Sequence, residues 1–525
     1  METHCLRYTE IPGTSRLFAD YQYHFDRVSR FYPHNPHDFE SYKRAAHEMD
    51  FPEARRTALV EALRKTNDGS PLLEELAKPG TVAVVTGQQL GLYTGPAYTV
   101  YKALTVVRLA EALREAGVRA VPVFWAPSED HDFAEVDHCH VFGGGYEPVS
   151  LRMEADGGPR QMVGTRVIRR VPEDELARAF GRMPFGEEAV EMVRRAYRPG
   201  VTLMEAFRRM LGEMLRPYEL LYVNPLDEGI RKLAAPFLRA AVEAAPGLKA
   251  KLRERAKELE AAGYHAQVLI EPETSLFFRI EGNNRHTLRV RDGRYSAGDR
   301  DFGTDELAAE AEKLSPNAVL RPVMQDYLLP TIAYAGGPAE MAYFAQAEVI
   351  YRELLGRMPV AVARASFTFL PLPEAERMTK FGLKVPALLR PEAEVRETAA
   401  RTLVPAGLQE EYAEARRRQG ELIAKLEAVT LRLDPTLGKA MRRSSAKMSY
   451  QLEKMEKKVA REALRRAERA GAGVSKLLKL VYPERHLQER YYSFLPFYAE
   501  HGPELVGKIA EAVHLGCPDH RVVIG

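Results

Sequence analysis

Three kinds of apolar spacing succeed one another along the chain. Thr81 to Val85 and Ala120 to Trp125 are short runs with little polar interruption, and between them a glycine-rich stretch, Thr86 to Pro96, leads into a long helical pattern that Gly117 closes. Runs without alternation are what strands buried on both faces require. Strand, glycine-rich turn, helix, strand is the βαβ unit of a parallel, doubly wound sheet. Leu220 to Val223, Gln267 to Ile270 and Pro359 to Ala363 are the further strands expected in it, separated by helical segments such as Leu248 to Ala262. Residues 143–200 and 268–318 carry shorter alternating runs, among them Leu276 to Ile280 and Thr287 to Val290, and read as small antiparallel insertions.

Ahead of this core, residues 1–80 read as helical with irregular joints, from Arg16 to Arg30 and again from Ala54 to Leu76. Beyond Pro391, charge dominates. Leu422, Leu426, Val429 and Leu433 form one apolar seam; Met441, Met448, Leu452, Met455 and Val459 form another after the break at Pro435 and Gly438. Two seams joined by a short break predict an antiparallel helical hairpin or coiled coil, whose leftover apolar stripe calls for a second copy of the chain. The last 45 or so residues, rich in Tyr and Phe from Tyr491 to Tyr498, should pack back on the core and end in a strand, Arg521 to Ile524. The expected organisation is an α/β, Rossmann-like parallel-sheet core over 1–385, a helical hairpin over 386–480 and a returning segment over 481–525.

Composition narrows the function classes. A chain of 525 residues allows about three structural units at roughly 100–200 residues each. With 75 Lys+Arg against 73 Asp+Glu, net charge gives no case for a nucleic-acid or membrane partner, and neither is expected. The basic excess from Lys439 to Arg469 holds a single aromatic, Tyr450, too few for interleaved stacking, and reads as a solvated coiled-coil face. Cys5, Cys139 and Cys517 lie far apart in sequence, which argues against a disulfide framework or a structural zinc site. No apolar stretch nears the ~18 residues of a spanning helix, and the start lacks a basic region followed by an apolar one, so the cytoplasm is the expected compartment.

Three constellations could carry chemistry. The first runs from Thr86 to Lys102: Thr86, Gly87, Gln88, Gln89, Tyr93, Thr94, Gly95, Tyr98 and Lys102 surround a strand-to-helix turn. A helix starting near Thr94 would aim its N–H groups at an anion and place Thr94, Tyr98 and Lys102 on one face; the alternative is a turn whose glycines only permit close packing. On the first reading, changing Gly87 or Lys102 weakens ligand binding and leaves the fold intact. The second constellation is Ser128-Glu129-Asp130-His131-Asp132, where the next apolar strand empties. Three acids beside an imidazole suit proton transfer in an organic-substrate site, a divalent metal, or a solvated cap, and residue types alone leave all three open. The third includes Arg321, Gln325, Asp326, Glu340, Tyr343 and Gln346, polar positions set among apolar ones as in a pocket wall. A faint lysine-methionine-serine pattern at Arg377 to Lys380 is too short to carry weight.

The blocks TGQQLGLYTGPAYTVYKA (86–103), VPVFWAPSEDHDFAEVDH (121–138) and SPNAVLRPVMQDYLLPTIAYAGGPAEMAYFAQ (315–346), with YPERHLQERYYSFLPFYAEHGPELV (482–506), resemble the signature segments of the bacillithiol cysteine ligase family, BshC. The resemblance implies a Rossmann-type core related to nucleotidylyl transferases, connective insertions, a coiled coil that makes a homodimer, and the joining of cysteine to glucosaminyl malate. Neither the H-x-G-H turn nor a clear lysine-methionine-serine-lysine loop of the wider superfamily is present. Amide formation in water needs the carboxylate activated, and ATP with Mg is the expected source. In this reading the Thr86 to Gly95 turn and Lys102 hold an anionic group, Asp130 or His131 takes the proton of the attacking amine, and Gln325 and Asp326 orient the substrate. A metal-dependent amide hydrolase built on Asp130, His131 and Asp132, and a coiled-coil scaffold or nucleic-acid-binding protein, are the rival readings.

Overall fold

The computed structural model describes residues 2–298, 300–469 and 473–525. Its centre is a five-stranded, wholly parallel sheet in the order Val360–Ala363, Thr331–Gly336, Val82–Gly87, Ala120–Trp125, Leu221–Val223. Every residue of Val82–Gly87, Ala120–Trp125 and Thr331–Gly336 is buried, which is why those runs do not alternate. From Val82–Gly87 the chain winds outward through Ala120–Trp125 to Leu221–Val223, then returns to the other side of the first strand. The order therefore reverses between Val82–Gly87 and Thr331–Gly336, and the crevice outside their carboxyl ends is where a doubly wound sheet holds a ligand.

The second insertion folds as an antiparallel sheet, whereas the first combines short antiparallel strands with two helices, Glu173–Phe180 and Gly186–Ala196. His138–Phe142 pairs with Pro148–Arg152, and a five-stranded sheet is built from residues 274–316. Gln267 to Ile270 is not a strand. The Gln346 side-chain amide takes the place of a neighbouring strand there, accepting from the Val268 amide at 2.7 Å and donating to its carbonyl at 2.9 Å.

A second, three-stranded sheet sews the ends of the chain together. Glu2–Leu6 runs antiparallel to His520–Ile524, which lies parallel to Phe367–Leu370. The first of these strands falls in the region read as helical. Beneath the sheet Gln488 spans the Phe369 backbone with both ends of its amide, and His520 is buried between the Ser366 and Thr368 hydroxyls at 2.7 and 2.9 Å. Burial pushes the His520 imidazole down to about 4, so it stays neutral.

The C-terminal hairpin consists of helices Ala406–Leu433 and Gly438–Arg469 around the turn at Pro435–Leu437. Ion pairs Arg416–Glu456 and Arg442–Glu427 join the arms. Leu426, Val429 and Leu433 remain 51%, 60% and 84% exposed, so most of this stripe has no cover within one chain. Among the described residues no helix is long and apolar enough to cross a membrane.

Candidate functional site

A cleft of about 1170 Å³ opens at the carboxyl ends of the central strands, over the point where their order reverses. Gly87, the last residue of its strand, stands opposite Trp125. A Cβ at Gly87 would lie 2.8 Å from the Trp125 carbonyl oxygen. This glycine is required by strand-to-strand approach, and a larger residue there would disturb the sheet itself, contrary to the expectation of an intact fold.

The turn that follows departs from the expected cradle. Tyr93, Thr94 and Gly95 have φ of 53°, 73° and 70°, and the helix begins at Tyr98, not near Thr94. Thr94 therefore does not share a helical face with Tyr98 and Lys102. Tyr93 is buried edge-on against Tyr197, and Thr94 and Gly95 lie with it below the cleft. The amides of Ala97, Thr99 and Val100 already donate to the carbonyls of Tyr492, Pro96 and Ala97. Thr86 is likewise structural: its hydroxyl donates to the Ala335 carbonyl at 2.7 Å and ties the two strands at the reversal point. The packing interpretation of the glycines thus holds for Gly91 and Gly95, while Gln88, Gln89, Tyr98 and Lys102 line the cleft.

Lys102 is almost fully buried. Its ammonium donates to the Gly87 carbonyl at 2.8 Å and the Gln88 side-chain oxygen at 2.9 Å, and pairs with Glu340 at 2.5 Å. Glu340 also accepts from the Gly337 amide and the Tyr334 hydroxyl, each at 2.7 Å. Burial pushes the Glu340 carboxyl up, but Lys102 and the Gly337 amide outweigh it and hold the group below its usual range. The positive charge expected to meet a ligand anion is answered from within the protein.

The acidic segment fares differently residue by residue. Ser128 is buried and hydrogen-bonds to the Asn224 side chain beneath the cleft. Glu129 is buried beside Arg285 and Arg231, and burial raises its carboxyl despite both. Asp130 accepts from the Gln89 amide at 2.6 Å, the His131 backbone amide at 2.7 Å and Arg285 at 3.3 Å. Burial opposes its ionisation, yet these donors, Arg285 foremost, keep it below the ordinary carboxylate range. The His131 ring stands with Nδ1 buried, unpartnered, and 3.7 Å from Asp130 Oδ1. Asp132 caps the short helix Phe133–Val136 by accepting from the Glu135 amide, and lines the cleft as well. Among the described residues, Asp130, His131 and Asp132 do not bring three ligand atoms within 4.8 Å of one another.

In the third constellation, Arg321 and Tyr343 reach the cleft, joined at 3.0 Å. Gln325 and Asp326 do not. Gln325 accepts from Arg321 at 3.1 Å and donates to Asp326 at 3.0 Å, and Asp326 is enclosed by Tyr351. They brace Arg321 from behind. The Arg377 to Lys380 pattern closes the helix Leu372–Lys380, with Arg377 on Glu374.

Several further cleft residues lie outside the three constellations, although Arg364 directly follows the predicted strand Pro359 to Ala363 and its place at that carboxyl end is a usable signal. Arg285 arrives from the antiparallel insertion, stacked 3.8 Å above the Phe278 ring and bonded to Ser315 and Pro316. Arg364 and Arg490 flank the Tyr98 ring at 4.9 and 5.8 Å. Arg364 is fixed by the buried Glu489 at 2.6 Å, while Arg490 forms no ion pair among the described residues. The cleft therefore carries both signs side by side: Arg285 meets Asp130, Lys102 meets Glu340, and Arg364 and Arg490 flank Tyr98.

Comparison with known proteins accords with this arrangement. Residues 1–365 match the family described as bacillithiol biosynthesis BshC, N-terminal Rossmann-like domain, and residues 367–524 match its C-terminal coiled-coil domain. A protein of Solibacter usitatus named "Putative cysteine ligase BshC" is 46% identical over 524 residues, covering 100% of both chains. Proteins of the same name from Koribacter versatilis and Salinibacter ruber are 34% and 31% identical, covering 99% and 97% of this chain and 99% and 96% of theirs.

Proposed function

The chain belongs to the BshC family of bacillithiol biosynthesis, and from that premise we propose that it is a ligase joining L-cysteine to the amine of glucosaminyl malate, with ATP activating the carboxylate. The observation that carries this reading is the cleft at the strand reversal, lined by the Asp130 and His131 pair and by several guanidinium groups. A cysteine carboxylate oxygen attacks a phosphorus of ATP, and diphosphate or ADP leaves. The amine then attacks the activated carbonyl carbon, the C–O bond to the phosphoryl group breaks with its electron pair, and the amine loses a proton.

His131 takes that proton. Asp130, kept ionised by Gln89 and Arg285, stabilises the imidazolium as it forms. Arg490, with Arg364 and Arg321, receives the anionic groups of substrate and nucleotide, the role first assigned to the turn and Lys102. The carboxylates of Asp132 and Glu135 at the cleft wall would hold a hydrated Mg ion, which would neutralise charge on the nucleotide phosphates. The exposed hairpin stripe pairs with that of a second copy in a two-fold dimer, and the reaction proceeds in the cytoplasm.

The test is purified protein incubated with cysteine, glucosaminyl malate and ATP, with mass detection of the thiol product and of AMP or ADP. Product formation dependent on all three substrates is expected. No amide product, or product formed equally without ATP, would overturn the reading.

A further inference from the structure

Cys5 and Cys517 stand at opposite ends of the sequence, yet the fold puts them side by side. Because Glu2–Leu6 pairs with His520–Ile524, the turn entering the latter passes Cys5, and the two sulfurs are 3.7 Å apart. Asp519 brings a carboxylate to the same place. These three ligand atoms lie within 4.8 Å of one another, and among the described residues no other His, Cys, Asp or Glu group gathers three so closely. None of the three lines the cleft.

The turn is held from several sides. Arg521 donates to the carbonyls of Ala512 and His514, and Gln22 donates to the Pro518 carbonyl at 2.8 Å. The Tyr23 hydroxyl donates to Asp519 Oδ1 at 2.7 Å, which orients the carboxylate and leaves its second oxygen available. That is the outer-shell support a ligating carboxylate usually has. For tetrahedral zinc with Zn–S bonds of about 2.3 Å, the edge between two sulfurs is about 3.8 Å, close to the separation found here.

We propose that Cys5, Cys517 and Asp519 form a binding site for a zinc-class divalent cation, with three protein ligands and a fourth position open to solvent. Paired thiolates select such borderline-soft ions over Mg or Ca. On binding, each thiol gives its proton to solvent and its sulfur lone pair to the metal; no electron is transferred. The bound ion clamps the first and last strands of the three-stranded sheet, independently of the reaction proposed above.

The test uses the full-length protein, reduced and stripped of metal, titrated with Zn²⁺ against a chromophoric chelator and with Co²⁺ followed by absorption. One equivalent should bind, the cobalt form should show a thiolate charge-transfer band, and zinc should raise the melting temperature. Cys5→Ser and Cys517→Ser should each abolish the band, and Tyr23→Phe should weaken zinc binding about tenfold through loss of carboxylate orientation. Melts of the metal-free variants matching wild type will establish that they fold. Substoichiometric binding, zinc affinity unchanged when both cysteines are replaced, or a Cys5–Cys517 disulfide that persists under excess zinc and reductant would each overturn the assignment.

Discussion

Replacing Lys102 with methionine isolates the ion pair that bridges the strand reversal. The substitution keeps most of the side-chain volume and removes three partners at once: the Gly87 carbonyl, the Gln88 side chain and Glu340. Glu340 would remain at 17% side-chain exposure with the Gly337 amide, the Tyr334 and Tyr343 hydroxyls and the more distant Arg321 to answer its charge. Leaving one member of a buried pair uncompensated typically costs about 3–5 kcal/mol, and we expect Lys102→Met to fall in that range. Glu340→Gln should be of the same order, whereas the double variant should cost less than the sum by about 0.5–3 kcal/mol, because the second change relieves the charge stranded by the first. The protein carries a single tryptophan, Trp125, fully buried beside Gly87. Its fluorescence during urea unfolding reports the central sheet separately from the hairpin, which matters in a chain of several units. If Lys102→Met costs less than about 1 kcal/mol and adds independently to Glu340→Gln, the pair is not structural. The ammonium would then be available to a ligand anion after all.

Other consequences can be checked as directly. His131→Ala should abolish turnover while leaving the urea midpoint near that of wild type, and Asp130→Asn should lower turnover about 100-fold or more; full product formation by both would remove them from the mechanism. Gly87→Ala should cost about 1–3 kcal/mol through the contact with Trp125, and wild-type stability would contradict the close approach. Leu426→Glu with Val429→Glu should shift a dimer toward monomer in light scattering, and an unchanged dimer would refute that interface. Glu500, pushed up to about 7 by burial, with Lys476 opposing and Glu374 reinforcing, contributes stability present below pH ~4.5 and lost as pH rises through about 7. Glu500→Gln should therefore flatten that decline and exceed wild type by up to about 3 kcal/mol at pH 8. Parallel pH profiles of urea stability for the two proteins would contradict this.

What could be read from sequence followed from how local each cause is. The central strands announced themselves because burial on both faces leaves no polar alternation, and the hairpin because its seams repeat within a few turns. Gln267 to Ile270 misled because an apolar run carries no record of whether its backbone partner is a strand or, as here, one glutamine side chain. Glu2–Leu6 was missed for the converse reason: its pairing partner lies at the far end of the sequence. The same division runs through the cleft. Asp130, His131 and Arg364 follow the ends of readable strands and Tyr98 and Arg321 open helices, whereas Arg285 and Arg490 arrive by tertiary contact from segments with other local roles. Thr94 lies off the helix that its spacing suggests, because its left-handed φ, shared with Tyr93 and Gly95, is set by packing around Gly91 and Tyr197 and not by propensity.

The pairing of the first strand with the last gives biosynthesis a timetable. A ribosome adding about 5–20 residues per second needs on the order of half a minute or more to pass from Leu6 to its partner His520. Throughout that interval the opening strand is an unsatisfied edge, exposed to mispairing with neighbouring nascent chains. Arg490, and Glu489 that steadies Arg364, also emerge among the late residues. The cleft therefore lacks Arg490, and Arg364 lacks its anchor, until translation is nearly over. A chain released early would lack Arg490 and Glu489 and leave its opening strand unpaired, so premature termination should yield an inert product that is also prone to aggregate.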